Sequence, residues 1–337
     1  VEVLKIQNAA RNSTEWFENI ARYEDLEPEQ FAYSLLTRSQ RISHENLRLR
    51  DPQWLEGYER WLAKRAGLSA DGARPTPPLL TPFKVRELTL NNRVVASPTL
   101  LYAAREGVAG DFHLVHLGAR ALGGIGLLLT EATAVSPEGR MTPGCPGLWN
   151  EEQKQGWKRV VNMVHANSQA RIGLQLNHAG RRGSTQLGWE QPDRPLAAGN
   201  WPLVSASALP YLEGVSQVPA EASHEELARI REDFVAATRR AVEAGFDWLE
   251  LQAGHGCLLS SFLSPLTNQR QDQYGGTLEN RLRYVLEVVK AVRAAWPAHL
   301  PLSVRISATD WVPGGWDIEG TIALSNALKA RGCAAIH

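Results

Sequence analysis

Cysteine is scarce in this 337-residue chain: Cys145, Cys257 and Cys333 are odd in number and contain no Cys-x-x-Cys pair. That pattern excludes a disulfide scaffold and a thiolate zinc site, and it suits a reducing, cytoplasmic setting. Net charge is missing as well. Thirty-six basic residues balance thirty-six acidic ones, so no long-range field gathers nucleic acid or an anionic membrane surface. No apolar run approaches the ~20 residues that cross a bilayer, and Val1-Glu2-Val3 lacks the apolar core of a signal peptide. No Gly-x-Gly-x-x-Gly follows the first strand pattern, which counts against a doubly wound dinucleotide fold. The expected partner is a small-molecule substrate, and a homo-oligomer stays open.

What is present is an alternation of two patterns. Residues 1–67 are aromatic-rich and helical in pattern, with Trp16, Phe17, Tyr23, Phe31, Trp54, Tyr58 and Trp61 among balanced charges. Residues 68–78 are rich in Pro and Gly, as in a linker. From residue 79 to 337, short β-rich runs alternate with helical stripes. Runs 93–97, 126–130, 172–177, 248–252, 302–306 and 334–336 read as strands buried on both faces. Ser223 and Glu226 form a capping box ahead of the stripe Leu227, Ile230, Phe234, Ala237 and Ala241, and Gly245 stands where that helix should stop. Leu282, Val285, Leu286, Val289 and Val292 make a second stripe. Repeated βα units predict a TIM (β/α)8-type barrel, truncated after about six strands and preceded by a small helical segment. Val1 and the strand-like Ala334–His337 read as cut ends of a longer polypeptide.

Every polar motif falls where a predicted strand runs into a loop, the place where such barrels build their sites. Ser97-Pro98-Thr99 ends the first strand, Thr130-Glu131-Ala132 the second, Gln175-Leu176-Asn177-His178 the third, Gln252 and His255 the fourth, and Arg305 the fifth. Arginine inside an apolar run is costly without a partner, so a ligand or a carboxylate must meet Arg305. A flavin ring asks for this set: hydrogen-bond partners around its pyrimidine edge and a positive charge where reduction builds negative charge.

The motif order, with Gly147-Leu148-Trp149, Tyr274-Gly275-Gly276, Asn280 and Arg281, resembles the old yellow enzyme family of FMN-dependent NAD(P)H oxidoreductases. The resemblance implies FMN, with NADH or NADPH as reductant. It implies Ser97, Pro98, Thr99, Ala132, Gln175 and Arg305 as cofactor contacts, Gln252 and His255 as the catalytic pair that holds a substrate carbonyl, and Tyr102 and His178 beside the substrate. Three positions depart from the family pattern. Gln252 stands where a His is usual, Cys257 where a Tyr donates a proton, and Leu100 where a Cys or Thr tunes the flavin. Segments 7–17 and 31–41 resemble the end of an FAD monooxygenase module, in fusions similar to salicylyl-CoA 5-hydroxylase and 2-aminobenzoyl-CoA monooxygenase/reductase. That likeness implies an aromatic CoA thioester as substrate, and FAD only in a module upstream.

Plainer readings stand beside these. His178 serves equally as a structural cap of its strand, and Cys257 as a small space-filler. Arg38, Arg41, Arg48 and Arg50 read first as a solvated or salt-bridged helix face, with a CoA phosphate as the alternative. Tyr274-Gly275-Gly276 reads as architecture, with Arg281 clamping a loop. The competing reading of the whole is a non-catalytic truncated barrel or docking fragment that does not hold FMN alone. A barrel aldolase lacks a Schiff-base lysine, since no predicted strand contains one.

Overall fold

A computed structural model describes residues 52–69 and 76–337. The segments 7–17 and 31–41 and the four arginines at 38–50 lie outside the described residues, as does most of the linker. The chain divides into two compact units, Val1–Pro82 and Phe83–His337. In the first, helix α1 (Pro52–Arg65) aligns Trp54, Tyr58 and Trp61 on one face at helical spacing, with ring centroids 5.5 and 5.8 Å apart.

The second unit opens with a hairpin, β1 (Phe83–Val85) and β2 (Leu88–Leu90), and then repeats strand and helix. In chain order these are β3 (Val95–Ala96), α2 (Asp111–Leu122), β4 (Leu127–Ala134), α3 (Glu151–Asn167) and β5 (Arg171–Asn177). A two-strand excursion, β6 (Val204–Ser205) and β7 (Ala220–Glu221), leads to α4 (His224–Ala244) and β8 (Trp248–Ala253). Then come α5 (Leu258–Leu263), α6 (Leu278–Ala295), β9 (Leu302–Ile306), α7 (Ile318–Ala330) and β10 (Ala335–Ile336). Six strands pair in the order β10-β9-β8-β5-β4-β3, all parallel. The result is a curled half-barrel, an α/β fold two strands short of a closed (β/α)8 barrel.

Strand parity sorts the side chains. Outward residues Leu128, Ile172, Leu174, Leu176, Leu249, Leu251, Leu302 and Val304 are fully buried under the helices and form the main core. Inward residues stack in rows. Leu127, Leu129 and Trp248 close the base against Leu88 and Leu90 of the hairpin. Above them Ala132, Gln175, Glu250 and Ser303 stand in register, and above those Gln252 faces Arg305.

Two strand boundaries differ from the sequence expectation. The first strand pairs only through Val95 and Ala96, because Pro98 has no N–H to continue the ladder. The second runs on to Ala134 through an irregularity between Leu129 and Ala132. The Ser223–Glu226 capping box forms in both directions, and Gly245 ends α4 at φ +90°. Asn280 donates to the Gly275 carbonyl at 3.0 Å and Arg281 to the Leu263 carbonyl at 2.9 Å, so that stretch is a braced turn. Among the described residues, no helix is long and apolar enough to cross a membrane.

Candidate active site at the mouth of the half-barrel

The upper rows of the barrel interior carry the polar residues, and most are tied to one another. Glu250, 1% exposed, is the hub. It accepts from Gln175 Nε2 at 2.9 Å, from Ser303 Oγ at 2.9 Å and from His337 Nδ1 at 3.1 Å. Trp248 Nε1 donates to Ser303 Oγ at 2.8 Å, which fixes that hydroxyl toward the carboxylate. His337 reaches Ser97 Oγ with its other nitrogen at 3.2 Å, so the end of β3 joins the same chain of bonds. Burying a carboxylate is unfavourable unless donors surround it, and three elements supply them here.

One row higher, Gln252 Oε1 accepts from the Gly254 N–H at 3.2 Å, which orients the amide so that Nε2 donates to His255 Nδ1 at 2.9 Å. The ring proton of His255 therefore sits on Nε2. His255 adopts φ +58°, a strained region for a non-glycine residue, and two contacts hold it there. Its N–H donates to Ser307 Oγ at 3.0 Å, and its carbonyl accepts from Arg182 at 2.8 Å. Arg182 is braced in turn by Asp193 at 3.1 Å and by the Tyr211 ring, 4.3 Å away. Burial, then the charges of Arg305, Arg182 and His337, lower the affinity of His255 for a second proton. The guanidinium of half-buried Arg305 makes no hydrogen bond or ion pair with any described residue.

The remaining predicted positions surround this centre. Ser97 and Thr99 are exposed on the loop after β3, with Pro98 half-buried between them, and Ala132 is buried opposite Gln175. Tyr102, at φ +52°, is half-buried edge-on to Trp189 at 5.8 Å. It packs with Leu100 against a small cluster of Met141, Cys145, Ala179 and Cys257. Burial pushes the Cys257 thiol up to about 11. His178 is 2% exposed: its ring lies against Gly139, with Glu138 and Arg229 as its neighbouring charges. The Gly180 N–H donates to His178 Nδ1 at 3.1 Å, and burial lowers its pKa to about 4.

Glu250 and Arg182 were missed in the sequence reading. Glu250 could have been found, because a period of two puts it on the same strand face as Gln252. Arg182 leaves no comparable signal beyond the Arg181-Arg182 pair.

The donor set suits a flavin. A free guanidinium, a bank of amides and hydroxyls, and a small residue at 132 fit a flat heterocycle whose pyrimidine edge needs donors and whose reduction builds negative charge. Among the described residues no cluster of His, Cys, Asp and Glu is placed to hold a metal ion. Fold and site together define a flavin oxidoreductase barrel, and the sequence profile of the NADH:flavin oxidoreductase / NADH oxidase family matches residues 78–336. The chain belongs to that family.

An NADH:flavin oxidoreductase of Gibberella zeae is 41% identical over 268 residues, which are 75% of this chain and 65% of the fungal protein. The chain thus spans a little under two thirds of that relative. Morphinone reductase in complex with tetrahydroNAD superposes with a TM-score of 0.66 at 34% identity, over 78% of this chain and 73% of that one. A 2-naphthoyl-CoA reductase complexed with 2-naphthoyl-CoA superposes with a TM-score of 0.69 at 25% identity, over 77% of this chain and 40% of the other.

Proposed function

We propose that the chain is an NAD(P)H-dependent oxidoreductase barrel that holds FMN at the mouth of its sheet and serves the reduction of an electron-poor, carbonyl-conjugated acceptor. The observation that carries this reading is the Arg305 guanidinium, beside Gln252 and without a protein partner. A half-buried cation at a strand end is favourable only if an anion or an electron-rich ring meets it. When bound, FMN would supply a two-electron carrier between nicotinamide and acceptor. Arg305 and Gln175 would hold it, with Ser97, Pro98, Thr99 and Ala132 around it.

The catalytic work assigned to the chain is electrostatic. Gln252 keeps a second amide N–H after serving His255, and His255 carries its proton on Nε2. Both would donate to the acceptor carbonyl oxygen, where negative charge develops. Cys257 is fully buried and keeps its proton, so solvent would supply the proton that completes reduction. Tyr102 and Trp189 would wall the acceptor, while His178 braces the exit of β5. An aromatic acyl-CoA thioester suits such a pocket, a reading supported by the likeness to the 2-naphthoyl-CoA complex. It also agrees with a fusion in which FAD belongs to an upstream monooxygenase module.

The test is to separate the half-reactions by rapid mixing. His255→Ala should slow oxidation of the reduced flavin by acceptor by about 100-fold, as for loss of one donor to a developing oxyanion, and leave reduction by NAD(P)H nearly intact. Equal loss in both half-reactions counts against the role.

One observation favours a second reading, a barrel that does not hold FMN alone. Strands β3 and β10 each pair on one side only, which leaves two open edges. Visible flavin bands in a chain extended by two further βα units, but not in this one, would select that reading.

A further inference from the structure

We propose that Glu131 is a positioning residue, which with His113 fixes the loop between β3 and α2 at the height where Thr99 and Tyr102 meet the cofactor and acceptor. This inference rests on the flavin reading above. Glu131 lies within β4, at the irregularity before Ala132, and its side chain is 0% exposed. One carboxylate oxygen, Oε2, accepts from the backbone N–H of Leu101 at 2.9 Å. The other, Oε1, accepts from His113 Nε2 at 2.9 Å. His113 sits in the first turn of α2, fully buried, with its ring edge-on to Trp157 at 5.6 Å.

The tautomer follows from the neighbours. The Gly110 N–H donates to His113 Nδ1 at 3.2 Å, so Nδ1 is the acceptor and Nε2 carries the hydrogen that points at Glu131. The carboxylate is thus held by α2 on one side and holds the loop on the other. Packing holds the loop on one side only, where Leu100 and Tyr102 meet the Met141 cluster. Between the loop and α2 lies a cavity of about 30 Å³, lined by Ser97, Thr99, Leu101, His116 and Trp157. On the α2 side the loop is therefore not close-packed, and there the bond from Leu101 to Glu131 holds it. Leu101 stands between the proposed cofactor contact Thr99 and Tyr102, whose positive φ also needs a fixed neighbour.

Glu131→Gln is a sensitive probe because both of its partners are donors. An amide accepts from one and then turns its NH2 toward the other. Switching the His113 tautomer only moves the conflict, since Nδ1–H would then face the Gly110 N–H. Glu131→Asp keeps the charge and shortens the reach by one methylene, and it provides a second variant should the first not fold. Tyr284→Phe is the control for a purely structural loss: it removes a buried hydrogen bond to the Leu227 carbonyl between α6 and α4.

The experiment measures Leu101 amide hydrogen exchange without flavin, and the FMN dissociation constant by fluorescence, in the wild-type chain and the three variants. Expected are exchange at Leu101 faster by about tenfold and FMN binding weaker by about tenfold in both Glu131 variants, each corresponding to loss of one hydrogen bond. Tyr284→Phe should lower the melting temperature and change neither quantity. Unchanged Leu101 exchange overturns the clamp, and so does FMN affinity that falls equally in Tyr284→Phe. If wild type takes up no FMN, the flavin reading fails and the role assigned to the clamp fails with it. Leu101 exchange then still reports whether Glu131 holds the loop, so the two failures are distinguishable.

Discussion

Gln252 donates to Nδ1 of His255 across 2.9 Å, a bond that turns two side chains into one oriented pair. A histidine in place of Gln252 could lose its donor on deprotonation, whereas an amide keeps its N–H at any pH. All the titration of the pair is thus confined to His255. A second proton on His255 would land on Nδ1, where it meets the Gln252 N–H, and this conflict adds to the burial and the neighbouring positive charges that already disfavour it.

The titration of His255 should accordingly lie below the ordinary imidazole value of 6.5. Arg305→Gln removes one of the charges responsible and should move the midpoint upward. Two-dimensional NMR of the imidazole across a pH series checks both. A midpoint at the ordinary value in wild type, or a downward move in the variant, contradicts the electrostatic picture.

His178 predicts how stability depends on pH. Buried in the fold, it stays neutral down to about pH 4, whereas the unfolded chain takes the proton near 6.5. Between those values the unfolded state binds more protons, so stability should fall as pH is lowered through that window and level off below it. The full effect is on the order of 3 kcal/mol. Urea unfolding at a series of pH values would show the slope, and His178→Gln should flatten it.

The Cys257 thiol, pushed up to about 11 within a closed apolar cluster, should resist alkylation. Iodoacetamide at pH 8, followed by mass spectrometry, should leave Cys257 unmodified in the folded chain and modify it after denaturation. Rapid labelling in the folded state would mean that the cluster opens, and would restore Cys257 as a candidate proton donor.

Gly275 has no room for a side chain, because a Cβ there would stand 2.1 Å from the Arg270 carbonyl oxygen. Gly275→Ala should cost about 2 kcal/mol or more, the range of an overpacked site. Denaturant unfolding measures it, and a loss below about 0.5 kcal/mol, the range of an ordinary surface change, would show that the braced turn yields.

Much of this architecture was legible in strand parity. Gln252 and Arg305 read as strand-end polar residues and meet in register, because inward positions recur every second residue. The same rule places Leu176. Gln175 faces the barrel interior, so Leu176 faces the helices and is fully buried, whereas His178 lies past the end of β5, where the alternation no longer applies. The hairpin of β1 and β2 was not legible, since three-residue strands are too short to show a period. Nor was the extension of β4 past residue 130, where the irregularity after Leu129 breaks the alternation that marks a strand. The Glu131–His113 bond joins residues 18 apart through tertiary packing, and no local pattern announces it.

The central claim is that Arg305 meets a flavin. The most direct measurement is titration of the wild-type chain and Arg305→Ala with FMN, followed by the visible difference spectrum. The account predicts saturable, perturbed flavin bands in wild type and affinity weaker by about tenfold or more in the variant, the loss expected when a charge-assisted contact is removed. Equal affinity in both chains would contradict it.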